Sequence, residues 1–233
     1  MSESSLPVNP VSPIPDLQVQ SGKLIVSVVD CDDRLGHGFW WQASSSESNV
    51  PSNRTELPIG ATIESPIKVM TSCEGTPQDI WPSSSPFQQI VREEIGTEKK
   101  LVLLAVGMAG KTHWSGTIEG DAMTEAIAMD FAARVSAVPD FLGSTYLVDE
   151  AWSVKLLNPP ETDIQSDAGN QSVALKHNQL DIKLVLDSIG PHKVSIAGNR
   201  VAITFQADFP ATKRNQTLRW RYVLRNANYP IPA

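Results

Sequence analysis

The chain is poor in cysteine, tyrosine, histidine and charge. Of its 233 residues two are Cys, three are Tyr and four are His, and 19% are charged. Two cysteines, Cys31 and Cys73, cannot build the bridged framework of a small secreted scaffold, and no His or Cys pair stands at zinc-ligand spacing. Long apolar runs are missing too: the best candidate, 101–106, falls far short of the roughly 20 residues a membrane helix requires. The start lacks the basic and apolar regions of a secretory signal. These absences predict a cytoplasmic protein with reduced thiols, no membrane contact, no metal and no cofactor. The glycosylation-type triplets at Asn53, Asn170 and Asn215 then read as chance matches.

Acidic residues outnumber basic ones, and the formal charge of −7 argues against general affinity for nucleic acid or anionic membrane. The balance is uneven, with seven bases against one acid from Lys193 onward. Within that stretch Arg219, Arg221 and Arg225 alternate with apolar residues, so a strand there sets three guanidiniums on one face, suited to an anionic partner. Edge-strand protection is the plainer explanation of such a row.

What the chain does have is apolar content, at 41%, together with six Trp and enough length for a full core. Residues 1–16 carry four prolines and predict a flexible tail. From residue 17 to 233, short apolar runs broken by Gly, Pro, Asn and Asp recur about every ten residues, the pattern of a single mainly-β domain. The predicted fold is an antiparallel β-sandwich with one short helix. Strands are expected at 17–20, 24–29, 39–41, 61–63, 67–71, 100–106, 112–119, 126–135, 146–148, 152–156, 172–175, 180–186, 194–196, 200–208 and 217–224. Exposed loops are expected at 43–58 and 158–171. The helix is placed after Ser85: Ser85 suits the N-cap, Pro86 the first turn, Gln88 a capping box and Gly96 the stop, while Phe87, Ile90, Val91 and Ile95 follow helical spacing.

Residues 121–138 satisfy two periods. Six alanines and a four-residue apolar repeat favour helix, whereas Ile127, Met129, Phe131, Ala133 and Val135 alternate strictly. The strand reading is preferred because 113–119 alternates as well and supplies a partner. Pairing Ile118 with Ile127, Gly116 with Met129 and Trp114 with Phe131 makes one side wholly apolar. The other side then gathers His113, Ser115, Thr117, Glu119, Asp130 and Arg134, with Asp130 across from Ser115.

That polar face predicts non-catalytic binding of a carbohydrate or other small polar ligand, with Trp40 and Trp41 as further ligand-contacting candidates, since adjacent strand residues point to opposite faces. One alternative is a sugar-processing or hydrolytic enzyme using His113 with Glu119 or Asp130 as acid and base. A second is a structural partner protein docking through the arginine row. A third, weaker alternative is an NTPase at 105–112, whose Ala-Val-Gly-Met-Ala-Gly-Lys-Thr lacks the first glycine of a P-loop and precedes an alternating stretch rather than a helix. Asp30, Asp32, Asp33 and His37 cluster without the spacing of a calcium loop and read as an acidic turn.

Overall fold

The structure is a computed structural model and describes residues 13–43, 65–73, 79–97, 99–121, 123–157, 171–190, 192–198, 200–205 and 215–231. The described residues form fifteen β-strands and no helix. In chain order they are β1 (Pro13–Ser21), β2 (Leu24–Asp30), β3 (Leu35–Trp41), β4 (Ile67–Ser72), β5 (Phe87–Ile95), β6 (Lys100–Ala109), β7 (Thr112–Asp121) and β8 (Ala126–Val135). The remainder are β9 (Gly143–Val148), β10 (Trp152–Leu157), β11 (Ser172–His177), β12 (Lys183–Ile189), β13 (His192–Ala197), β14 (Arg200–Phe205) and β15 (Gln216–Asn226). The strand expected at 61–63, and most of the loops expected at 43–58 and 158–171, lie outside the described residues.

Every pairing is antiparallel, and the sheet does not close. It divides at β3. One edge of β3 is taken by β2 along its whole length, and the other is shared by β4 and, through Leu35 opposite Phe87 alone, by β5. One layer therefore runs β1-β2-β3-β4-β9-β14-β13 and the other β5-β6-β7-β8-β15-β12-β11-β10. They face each other across a single core: His37 and Tyr146 of the first meet Phe131 and Tyr222 of the second, and Trp220 of the second reaches Ser144 of the first. The expected mainly-β antiparallel fold is what forms.

Two expectations at the level of elements are corrected. Residues 13–16, assigned to the tail, begin β1, where Pro13 lies opposite Val29 and an irregularity before Gln18 absorbs the second proline; residues 1–12 lie outside the described residues. The predicted helix is strand β5. Phe87 and Ile90 are both buried, a spacing that suits a helix, but here a bulge between Phe87 and Gln89 brings both onto the inner face. The Gln88 side chain repairs the interrupted ladder: Met108 N–H donates to its Oε1 at 2.6 Å, and its Nε2 donates to Met108 O at 2.9 Å. Gly107 completes the device, because a Cβ there would stand 2.0 Å from Pro86 O.

The register of the β7–β8 hairpin also differs from expectation. Ile118 faces Met129, Gly116 faces Phe131 and Trp114 faces Ala133, two residues from the expected pairing, so the apolar side is as predicted but its partners are not. Large now meets small. The Phe131 ring lies over Gly116, where a Cβ would be 2.3 Å from Cδ1, and Trp114 packs over Ala133. The expected pairing of Trp114 with Phe131 puts two large rings at one position.

Candidate functional site

The polar residues of β7 stand on the outer side of the β7–β8 hairpin, with His113 and Ser115 exposed and Thr117 and Glu119 half-buried. The corrected register places Asp130 across from Thr117, Ala132 across from Ser115, and Arg134 across from His113. Asp130 is taken by Arg219, which donates from Nε at 2.6 Å and also from Nη2, a bidentate pair that raises the arginine pKa. Glu119 pairs with Lys100 Nζ at 2.8 Å. His113 lies four residues along the strand from the position opposite Asp130 and six from Glu119, about 13 and 20 Å at strand rise. No acid–base pair forms among them. Ser115, Thr117, Asp130, Thr217 and Arg219 instead border a shallow groove of about 440 Å³ floored by Leu104, Ala105, Gly116 and Ala132.

The arginine row occupies one face of β15, opposite Leu218, Trp220, Tyr222 and Leu224. Arg219 is committed to Asp130, and Arg225 donates from Nε to Asp187 Oδ2 at 2.6 Å and from Nη1 to Tyr229 O at 2.6 Å. Asp187 also accepts from Ser172 Oγ at 2.5 Å and is buried. Residues 105–112 are the end of β6, a two-residue turn at Gly110 (φ 57°) and Lys111, and the start of β7. A strand thus follows the lysine where a phosphate site needs a helix N-terminus.

Around residues 30–37, Asp33 salt-bridges Arg34, which holds its carboxyl below the usual range, and Asp30 Oδ1 accepts from Asp32 N–H at 3.1 Å in a tight turn. His37 points into the core, where its Nε2 lies 2.6 Å from Tyr146 Oη, itself hydrogen-bonded to Tyr222 Oη. Among the described residues no group of three or more His, Cys, Asp or Glu side chains is placed to hold a metal ion.

Trp40 and Trp41 point to opposite sides of β3, as adjacency requires. Trp40 is half-buried on the outer side, over Gly38 and beside Pro13, Gln18 and Pro66. Trp41 is buried and forms the inner wall of a pocket of about 330 Å³ at one end of the two layers. Four other segments complete this pocket: Lys23 from the β1–β2 turn, Glu125 from the β7–β8 turn, Asp181 to Lys183 from the β11–β12 connection, and Asn226, Asn228 and Tyr229 at the end of β15. Only Trp41 was marked by the sequence. Local hydrogen bonds build the rest. Gly22, at φ 57°, makes the tight turn that presents Lys23, whose Nζ sits 5.6 Å from the centre of the Trp41 ring. Glu125 Oε2 accepts from Asn226 Nδ2 at 2.8 Å, Asn228 N–H donates to Asn226 Oδ1 at 3.1 Å, and Ala227 N–H donates to Lys183 O at 2.9 Å. Lys183 Nζ is 3.2 Å from Asp181 Oδ1. The two cations and two carboxylates leave the pocket formally neutral, with amide and phenol groups toward solvent.

No known protein family matches the chain, and no curated protein matches its sequence. The class defined by the structure is a mainly-β protein with an open antiparallel sheet folded into two layers, and the described residues include no helix long and apolar enough to cross a membrane.

Proposed function

We propose that the protein is a non-catalytic binding module for a small, polar, net-neutral ligand, with a carbohydrate as first choice, and that the ligand sits in the end pocket against Trp41 and Tyr229. The observation that carries this reading is the balance of the pocket. Its lysines and carboxylates are matched in number, so charge does not select the ligand, and the Asn228 amide and Tyr229 ring and hydroxyl remain to meet hydroxyl groups and a sugar face. The pocket is built from turns between paired strands, which lowers the ordering cost of binding. The test is a glycan and metabolite panel, followed by affinity measurements on Asn228→Ala and Tyr229→Ala. Both side chains are exposed, so the fold should survive. Each substitution is expected to weaken binding about tenfold, the scale of one lost hydrogen bond or stacking contact. A ligand whose affinity is unchanged in both variants moves the site elsewhere, with the groove between Ser115 and Arg219 next to be tested through Thr117→Ala.

A further inference from the structure

The connection that brings Asp181 and Lys183 to the end pocket is held down by a histidine. His177, the last residue of β11, is buried, and its Nδ1 accepts two backbone hydrogen bonds, from Gln179 N–H at 3.2 Å and Leu180 N–H at 3.0 Å. This fixes the neutral tautomer with its proton on Nε2. The main chain closes around the same residue: His177 N–H donates to Ile182 O at 3.1 Å, and Ile182 N–H donates to Leu180 O at 2.8 Å. Residues 177–182 are therefore a small knot whose centre is one imidazole nitrogen.

Resting on the pocket reading above, we propose that His177 is a pH latch on that pocket: neutral, it ties the 178–182 loop into place, and protonation at Nδ1 releases the loop and weakens ligand binding. The chemistry is simple. An imidazolium has two N–H donors and no acceptor, so a proton at Nδ1 sets a donor against the Gln179 and Leu180 amides at once. The loop stays tethered at its start, because Asn178 N–H donates to Ala151 O at 2.8 Å and its Nδ2 donates to Glu150 O at 3.1 Å. Its far half, carrying Asp181 and leading to Lys183, is what the latch frees. The ring itself is held by Trp152, edge to face at 5.1 Å, and Trp152 is anchored to the other layer through Nε1 to Lys68 O at 2.8 Å.

The charged groups around the imidazole are Asp149 and Glu150 in the β9–β10 turn, Lys176 beside it on β11, and Asp181 and Lys183 paired across the loop. Burial lowers the pKa of His177 below the ordinary histidine value, and the Asp149 carboxylate opposes this. Asp149 is itself engaged by Ala151 N–H at 3.1 Å. The latch is thus closed at neutral pH and opens on acidification.

The test uses the full chain without ligand, so its result is independent of whether the pocket reading is right. Protection of the Gln179 and Leu180 amides against hydrogen exchange is measured by NMR from neutral pH downward until the His177 ring, followed through its Cε1 signal, has titrated. The amides of Met129 and Trp220 report global opening. Protection at Gln179 and Leu180 is expected to fall about tenfold or more as the ring titrates, the scale of losing one or two hydrogen bonds, with the core amides unchanged. In His177→Asn, whose Oδ1 accepts but does not titrate, both amides should remain protected through the same range. The proposal is overturned by protection that holds while the ring titrates, by an equal fall in His177→Asn, or by a ring that stays neutral until the core amides open. The wild-type titration decides the matter even where the variant folds poorly.

Discussion

Protonating His37 means placing a charge among Phe39, Phe131 and Tyr146, and burial accordingly holds its pKa down to about 4. The unfolded chain takes up this proton near the ordinary value of about 6.5, and the folded chain only near 4, so between those values the unfolded state binds more protons. Stability contributed by neutral His37 is present in full above pH of about 6.5 and is lost as pH falls toward 4, by about 3 kcal/mol in all. Urea unfolding midpoints across this window should show that slope, and His37→Gln should flatten it; equal slopes in both proteins would assign the acid sensitivity elsewhere. A second residue-scale test concerns Gly116. A methyl group there meets the Phe131 ring, so Gly116→Ala should cost about 1–3 kcal/mol. Adding Phe131→Leu should recover part of the loss, since the obstacle is one ring. Full additivity of the two costs would mean the ring does not set the register.

Among elements, β5 shows where sequence patterns stop discriminating. An apolar residue at every third position fits one face of a helix, and it equally fits a strand whose bulge shifts the alternation by one, as Phe87 and Ile90 do. The capping residues before it were real polar signals put to another use: Gln88 hydrogen-bonds across a bulge instead of back to a helix start. The β7–β8 hairpin fails in a gentler way. Alternation tells which side of each strand is buried, but it repeats every two residues, so a slip of two leaves the pattern intact, and only the fit of Phe131 over Gly116 selects the offset. The end pocket was almost wholly hidden, because its residues come from five separate segments and none forms a motif by itself. Of its lining only Trp41 stood out in the sequence, and the convergence of the other segments on it is a property of the topology. The bulge gives an element-scale prediction. Gly107→Ala drives a methyl group into the Pro86 carbonyl, a backbone atom that cannot rotate away, and should destabilise more than Gly116→Ala. Gln88→Ala should cost about 1–2 kcal/mol through its two hydrogen bonds. Urea denaturation of both proteins checks the order; a silent Gly107→Ala would mean the bulge relaxes freely.

The whole molecule rests on one shared core. The two layers touch through a single strand pair at Leu35 and Phe87, yet side chains link them along their faces: His37 to Tyr146 and Tyr146 to Tyr222 by hydrogen bonds, Trp220 Nε1 to Ser144 Oγ at 3.2 Å, and Trp152 Nε1 to Lys68 O. Neither layer can bury its inner face without the other, since strands with one apolar side need a second layer to cover them. The chain should therefore unfold as one unit in spite of the division at β3. Tryptophan fluorescence, which reports Trp114 and Trp220 in the second layer and Trp41 in the first, should follow the same urea transition as far-UV circular dichroism, whose starting signal is dominated by β structure. Tyr222→Phe, which removes the phenol linking the layers and leaves the Tyr146 hydroxyl to His37, should shift that single transition by about 1–2 kcal/mol without splitting it. Two resolved transitions, or a variant that uncouples the probes, would show that the layers fold separately. Refolding should also be slow, in milliseconds to seconds, because neighbours such as β9 with β14 and β8 with β15 are distant in sequence and their pairing must wait for long loops to close.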